Sequence, residues 1–556
     1  MNKLKLFIST AFLAAASNAF GGGLLTNTNQ NIAFLRNPAR DAAIGIDGVY
    51  SNPAGVAWLN DGLRISLNLQ NAHQTRTVST TFAPFAFGNN NNGSASKEFK
   101  GKADAPIIPS LQAAYNKNKW SFQFGFAVTG GGGKCTFDNG LPSFEATVAM
   151  LPLLSENLDQ IASSIGMGQT GLPKITGYGI DTYMRGRQYY YGFTLGAARK
   201  LDDHWSVYAG ARLLYGTSNY YGYVRNIQAT INGQNVPASS TFATQSGVAA
   251  EAMGKYTQAA QQYQQAGDVA NAAKYAAMAK QAGMQAVVLG ALGQATSDVT
   301  LNCDQTGWGI APILGVHYRA GVVDVAAKYE FKTRMRLKNR AANSESAANL
   351  PMLAKYEDGK TVADDSPALL TVGAQWNALP SLRISGGYHH YFDKDAHQYD
   401  NHQKLLEGNT EEYLLGAEYD INKVVQVSAG AQITDYDFTD EYMQDVSFNV
   451  SSWSLGFGVG INLTKKLKLN VAYFQTFYGD YNRTTNDYGN LSATAGRIIG
   501  GIASNLASPE AGEAAAKATA ALLTTPDPNT GRSVLHGSDS FTRTNRVIGV
   551  GLDIKL

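Results

Sequence analysis

From Trp453 onward the chain alternates. Trp453, Leu455, Phe457, Val459, Ile461 and Leu463 are apolar, and Ser454, Gly456, Gly458, Gly460 and Asn462 between them are small or polar. A strand sends successive side chains to opposite faces, so this stretch has one face suited to hydrocarbon and one that is small and wet. The same pattern from Trp205 sets Trp205, Val207, Ala209, Ala211, Leu213 and Tyr215 against Ser206, Tyr208, Gly210, Arg212 and Gly216. Around Lys328, the apolar face Val323, Val325, Ala327, Tyr329 and Phe331 opposes Asp324, Ala326, Lys328, Glu330, Lys332, Arg334 and Arg336. Runs of this kind predict strands near residues 62–76, 106–116, 119–130, 185–200, 204–224, 306–319, 322–338, 367–378, 381–393, 411–421, 424–438, 449–463, 466–481 and 541–556. That makes about fourteen, and an even number is what a single-chain bacterial barrel requires.

The links between these runs alternate in length. Asn116-Lys117-Asn118, Leu201-Asp202-Asp203, Arg319-Ala320-Gly321, Leu379-Pro380, Asn422-Lys423 and Thr464-Lys465 are short, and the links between them are long. Short turns on one side and long loops on the other describe a transmembrane antiparallel β-barrel, an all-β fold with both chain ends on the turn side. Trp205, Tyr215, Trp376 and Trp453 at strand ends suit interfacial aromatic girdles. Three loops read as helical insertions, near 134–184, 247–292 and 491–523. The first has Phe144, Val148, Leu151, Leu154, Leu158 and Ile161 three or four residues apart, with an interruption expected at Pro152. The second is Ala- and Gln-rich, with a helix stop at Gly267, and predicts a helical hairpin outside the barrel.

Composition narrows the class. No segment supplies 18 consecutive apolar residues, so helical membrane spans are excluded, while Gly 58, Tyr 29 and Phe 23 with 16% charged residues suit a β-barrel. Residues 1–19 read as a secretory signal peptide: Lys3 and Lys5, an apolar run from Leu6 to Ala16, then Ser17-Asn18-Ala19. Removing its two lysines takes Lys+Arg from 45 to 43, against Asp+Glu 43, so nucleic acid is not an expected partner. Residues 20–60 then precede the first strand of a barrel spanning 61–556. A lumen of about fourteen strands leaks unless it is filled. This segment, broken by Asn37-Pro38-Ala39 and Asn52-Pro53-Ala54, is the expected plug.

A search for chemistry finds no catalytic constellation and no metal-ligand pattern, and no cofactor is expected. His389 and His390 are adjacent on a strand and face opposite ways, His389 into the lumen. Gly130 to Gly133 is followed by neither a helix nor Lys-Ser/Thr, so it is not a phosphate loop. The pairs Asp364-Asp365 and Glu411-Glu412 read as solvated charge in loops. The alternation places Arg64, Arg212, Lys328, Lys332, Arg334, Arg336, Arg383 and Lys468 inward, among Glu330, Glu412 and Glu418. These form either a salt-bridged interior or, in part, a site for the carboxylate of an amphiphile. Cys135 and Cys303 are candidates for a disulfide in an oxidising compartment, or stay unpaired.

The stretch Asp47-Gly48-Val49-Tyr50-Ser51-Asn52-Pro53-Ala54-Gly55-Val56-Ala57 just before the first strand resembles the N-terminal hatch motif of the FadL-type long-chain fatty acid and hydrocarbon transporters. The resemblance covers the whole plan: signal peptide, hatch, about fourteen strands and helical outer loops. It implies a passive uptake channel of the bacterial outer membrane, probed by long-chain fatty acids or other hydrophobic ligands, in contact with outer-membrane lipid and lipopolysaccharide, monomeric and not an enzyme. It also implies a hatch that carries Asp47, Asn52, Pro53, Ala54 and Gly55 and an apolar entry groove at Phe144, Val148, Leu151, Leu154, Leu158 and Ile161, while the inward register makes Arg64, Arg212, Lys328, Lys332, Arg334 and Arg383 the candidate ligand-binding cations of the lumen. Exit is implied sideways, through a wall opening beside a kinked third strand, where Gly125 and Gly130 to Gly133 allow a kink. The insertion at 247–292 departs from that plan, and the alternative function is an adhesion or partner-binding barrel acting through its helical outer loops.

Overall fold

The computed structural model describes residues 24–164, 172–345 and 351–556. The signal peptide lies outside the described residues. The strand segments are β1 (Gly62–Phe82), β2 (Ser96–Lys117), β3 (Trp120–Phe137), β4 (Ile175–Lys200), β5 (Trp205–Ile231), β6 (Gln234–Pro237), β7 (Val299–Ala320), β8 (Val323–Glu330), β9 (Arg336–Ala341), β10 (Thr361–Ala363), β11 (Leu369–Leu379), β12 (Leu382–Tyr391), β13 (Thr410–Asp420), β14 (Val425–Asp435), β15 (Ser452–Asn462), β16 (Leu467–Tyr478), β17 (Tyr481–Thr485) and β18 (Gly537–Lys555). All belong to one antiparallel sheet. β8 with β9, β10 with β11 and β16 with β17 each share their neighbours and form single interrupted staves, while β6 only folds back on the end of β5. The result is a closed barrel of 14 strands. Closure is made by β1 against β18, from Arg64↔Lys555 to Phe82↔Gly537.

The alternation read from the sequence sets the two surfaces. Leu67, Leu69, Phe122, Leu195, Ile310, Leu415 and Ile548 face outward and are exposed, whereas Ser66, Asn68, Gln112, Ser206 and Asn470 face inward and are buried. An exposed apolar belt around a polar interior is the surface of a barrel whose solvent is lipid. β11 to β16 have 10 to 12 residues, enough for one tilted crossing. β4 and β5, with 26 and 27 residues, run far past the membrane on the loop side.

That taller side is roofed by helices. Pro142–Ser164 is one helix that continues across Pro152, contrary to the expected interruption. The helices Ala238–Gln265 and Val269–Ala295 form the hairpin, reversing at Gly267 with φ +78, and Leu491–Leu506 and Pro509–Thr524 form a second pair. Phe82, Phe85, Phe99, Phe144, Leu151, Val288, Ile498 and Ile499 share one buried core beneath them.

Geometry decides one open alternative and overturns one expectation. Cys135 and Cys303 are both buried and free. They lie in one row of the sheet, Cys135↔Gly186, Gly186↔Tyr220 and Tyr220↔Cys303, so β4 and β5 stand between them. Three interstrand spacings come to roughly 14 Å, twice what a disulfide spans. The overturned expectation concerns the stave β8–β9. Ile313 faces Glu330 but Thr306 faces Lys338, so one extra residue enters between Phe331 and Met335. A one-residue slip exchanges the faces. Thr333, Met335 and Leu337 turn inward, Arg334 and Arg336 point away from the lumen, and Lys332 is half-buried between Phe331 and Thr333.

Candidate functional site

Residues 24–60 occupy the barrel interior as a nearly fully buried segment. Its short helix Ile32–Arg36 starts at Asn31, whose side chain accepts from the Ala33 amide at 2.7 Å. Asn31 Nδ2 donates to Gln112 Oε1 at 2.9 Å, and the Ile32 amide donates to Asn68 Oδ1 at 3.1 Å, so the polar wall holds the capping residue and satisfies a further free amide of the first turn. Lumen-facing glycines make room for this packing. A Cβ at Gly456 would strike the Leu35 carbonyl, one at Gly430 would meet Pro38, and those at Gly373 and Gly387 would meet Asp41.

Buried polar ties hold the segment to the wall. Arg40 pairs with Asp47 at 2.7 Å and with Glu418 of β13 at 3.0 Å. Asp41 Oδ1 lies 3.0 Å from His389 Nε2, and Nδ1 of the same ring lies 2.8 Å from Glu412 Oε2. Both ring nitrogens face carboxylates, and both can donate only as an imidazolium. The Tyr50 ring lies 4.7 Å from Lys328 Nζ and 4.9 Å from the Arg212 guanidinium. Lys328 also donates to the Tyr50 carbonyl at 2.9 Å.

The hatch-motif residues lie inside this packing. Asn52 Oδ1 accepts from the Gly55 amide at 3.1 Å, closing the Asn-Pro-Ala turn. Its Nδ2 donates to the Ala43 carbonyl at 3.1 Å and lies 3.0 Å from His317 Nδ1. His317 Nε2 is 3.1 Å from Asp324. A carboxylate on one nitrogen and an amide donor on the other are both satisfied by a neutral ring protonated at Nε2.

The sequence-predicted lumen cations are not free. Arg212 is ion-paired to Glu330. Arg383 grips Asp420 at 2.8 Å through both terminal nitrogens, Lys468 donates to Gln426 Oε1 at 2.8 Å, and Arg64 bonds the Asn60 carbonyl. The salt-bridged interior is therefore the arrangement seen. Lys332 donates to the Asp395 carbonyl, and Arg336 pairs with Asp365 at 2.6 Å from outside. Asp365 and Glu412 are buried instead of solvated. The entry-groove residues Phe144, Val148, Leu151 and Leu154 are packed into the roof core, where the cleft beside Leu151 and Leu154 is nearly closed. The side chains of Leu158 and Ile161 lie outside the described residues.

Two larger cavities flank the segment. The one on the roof side has a volume of about 730 Å³ and is lined by apolar Leu24, Leu25, Leu337 and Phe448 and polar Lys355, His402, Tyr399 and Tyr442. His402 stacks on Tyr442 at 4.6 Å, and burial lowers its affinity for a proton. Burial likewise pushes the Lys355 ammonium below its ordinary value. The cavity on the turn side, about 920 Å³, is a charged mouth containing Arg36, Arg40, Asp47, Arg383, Glu418 and Lys468.

Between these cavities the wall is open. β2 pairs with β3 over Gly101–Ala103 and again over Leu111–Lys117, with no pairing between Ala103 and Leu111. Facing that gap, residues 127–133 of β3 are all buried, withdrawn from the outer surface between half-buried Phe126 and exposed Lys134. Gly131 at φ +82 and Gly133 at φ +73 make the withdrawal, and the β3–β4 register shifts there. Pro106 and Pro109 on the β2 side have no amide hydrogen to leave unpaired. The N-terminal segment lies behind the gap. Thr26 bridges Gly130, the Asn27 amide donates to the Thr129 carbonyl at 2.9 Å, and Gln30 Nε2 donates to the Val128 carbonyl at 3.0 Å. Leu24 and Leu25, just before this bridge, line the roof-side cavity.

A FadL homologue of Pseudomonas aeruginosa, known from its crystal structure, matches this chain with a TM-score of 0.55 at 11% identity, over 96% of this chain and 99% of that one. The fold is FadL-like. The toluene transporter TodX of P. putida matches with a TM-score of 0.45 at 14% identity over 92% and 94% of the two chains, and the toluene transporter TbuX of Ralstonia pickettii with 0.44 at 13% over 94% and 98%. No protein-family model matches the sequence, and a search of curated proteins finds no match. Within the FadL-like barrel, sequence reasoning missed Asp41, Tyr50 and His317. The one signal for this network was the inward register of His389.

Proposed function

We propose that this chain is a passive outer-membrane channel for the uptake of hydrophobic compounds, with long-chain fatty acids as the first class to test. A solute in the roof-side cavity meets Leu24 and Leu25. The next residues, Thr26 to Gln30, cover the gap between β2 and β3. Displacing that strip joins the cavity to the gap, and an apolar solute then leaves sideways into lipid without crossing the charged mouth below. Transfer into lipid is favourable by about 0.8 kcal/mol for each methylene removed from water, so no energy source is needed.

The observation that carries this reading is the unpaired wall between Ala103 and Leu111, backed by a hydrogen-bonded strip of the N-terminal segment. In a structural barrel, an unpaired edge of this length would waste wall hydrogen bonds. The test is uptake of labelled oleate and of an uncharged alkane by a deletion strain complemented with the wild-type chain. Complementation should restore uptake of at least one. Unchanged uptake of every hydrophobic solute tested, with the barrel present in the outer membrane, rejects the proposal.

A further inference from the structure

The outward face of β4 gives the vertical order of the barrel surface. Going up from the turn side it reads Arg199, Ala197, Leu195, Phe193, Tyr191, Tyr189, Arg187 and Arg185. Leu195 is 64% exposed, and Phe126, Tyr189, Tyr191 and Phe193 form a run of ring contacts at 5.1 to 6.4 Å. Ten residues from Arg199 to Tyr189 climb roughly 25 Å at a strand tilt of about 40°, the height of an apolar belt. Arg187 and Arg185 therefore stand about 5 and 10 Å above the belt, where lipid headgroups lie.

Cations from two more strands gather there. Lys134 of β3 is directly opposite Arg187, Arg185 is opposite Thr136, and Lys102 of β2 is opposite Thr136 on its other side. Lys102, Lys134 and Arg187 are exposed. Like charges facing each other across a strand pair are destabilising unless something neutralises them. Among the described residues none of the four has an ion-pair partner; Asp104 is paired with His73 and Asp181 with Arg225, and Asp138, on the same outward face beyond Thr136, makes no ion pair with them. Arg185 is held in place by donating to Asn219 Oδ1 at 2.8 Å and by the Tyr221 ring at 5.4 Å.

We propose that Lys102, Lys134, Arg185 and Arg187 bind the phosphate of a phosphorylated glycolipid of the lipid A type in the outer leaflet. The planar fork of an arginine suits two oxygens of one phosphate, and the lysines add point charge. The aromatic run just below takes the upper acyl chain. The site stands at the upper rim of the wall gap, so a bound lipid is the immediate neighbour of whatever leaves there. The inference rests on the outer-membrane reading above, but its test does not involve transport.

The purified full-length protein in detergent is titrated with micelles containing bis-phosphorylated lipid A, with the same lipid after removal of its phosphates, and with inorganic phosphate. Lipid A should bind at least tenfold more tightly than its dephosphorylated form. Lys134→Gln/Arg187→Gln should lose that difference while keeping heat-modifiable mobility as a folded barrel. Lys134→Arg/Arg187→Lys, which keeps the charge, should retain it. Equal binding of the two lipids, or an unchanged preference in the Gln variant, overturns the proposal. So does full competition by inorganic phosphate at the same concentration as the lipid, which would make the site one for free phosphate. Loss of uptake with lipid A binding intact would count against the transport reading alone.

Discussion

Replacing His389 by Ala tests how the N-terminal segment is held. Asp41 Oδ1 has His389 Nε2 as its partner at 3.0 Å, and Oδ2 has no hydrogen-bond partner. Glu412, on the other side of the ring, also receives the Tyr391 hydroxyl at 2.7 Å, the Thr434 hydroxyl at 2.9 Å and Gln432 Nε2. The substitution therefore orphans a buried carboxylate on the segment but not the one on the wall. Two unit charges about 4 Å apart interact by about 4 kcal/mol at an effective dielectric of 20, and removing one partner of a buried pair costs about 3 to 5 kcal/mol. At the lower end, about 3 kcal/mol, the displaced segment becomes about a hundredfold more populated. Asp41→Ala leaves His389 paired with Glu412 and should cost only about 1 kcal/mol. The double variant removes the orphaned charge, so it should be less damaging than His389→Ala alone. Hydrogen exchange of backbone amides in residues 30–60 reads this opening directly. Unchanged protection in His389→Ala, or a loss in Asp41→Ala as large as that in His389→Ala, would refute the reasoning.

Three further outcomes follow from the same packing. Gly387→Ala puts a methyl against the Asp41 carboxylate and should weaken docking by about 1 to 3 kcal/mol by overpacking, read as faster exchange in the same peptides with the barrel intact. Gly131→Val forces a β-branched residue into a positive φ and against the Gln188 carbonyl; uptake should fall at least tenfold while heat-modifiable mobility persists. His402 is held neutral by burial beside Tyr442, with its proton affinity lowered. A group of this kind contributes stability above its unfolded value of about 6.5 that is lost as pH falls through the lower folded value. Exchange in residues 399–405 should therefore rise on acidification, and His402→Gln should remove that rise.

Where one rule dominates a segment, the fold was legible. Period-2 alternation located every stave because lipid outside and polar contents inside impose it on each strand, and the short turns revealed the direction of the chain. It failed at Phe331 to Met335, where one inserted residue reversed the faces and moved Arg334 and Arg336 outward; nothing in the composition of that stretch marks a bulge. The row separation of Cys135 and Cys303 likewise depends on strand order and register together. The candidate site was half legible. Asn52-Pro53-Ala54 stood out as a turn in the wrong place for a strand, and His389 had the inward register. Its partner Asp41 is 348 residues away, and such a pairing is set by three-dimensional packing alone. The roof residues Phe144 to Leu154 show the converse: helical spacing of apolar side chains identifies a buried face and does not say whether lipid solute or protein covers it.

The central claim is that the strip at Thr26 to Gln30 must leave the gap beside β3 for a solute to pass. Asn27 and Thr129 are opposite each other across that bridge, so Asn27→Cys/Thr129→Cys, made with Cys135→Ser and Cys303→Ser, places two thiols within disulfide reach. Uptake is measured in cells carrying this variant, oxidised and then reduced, with cross-linking quantified by gel mobility. The account predicts that uptake falls below about a tenth of the reduced rate when the cross-link is complete and returns on reduction, a loss that corresponds to at least about 1.4 kcal/mol. Equal uptake in the fully cross-linked and reduced states would contradict it.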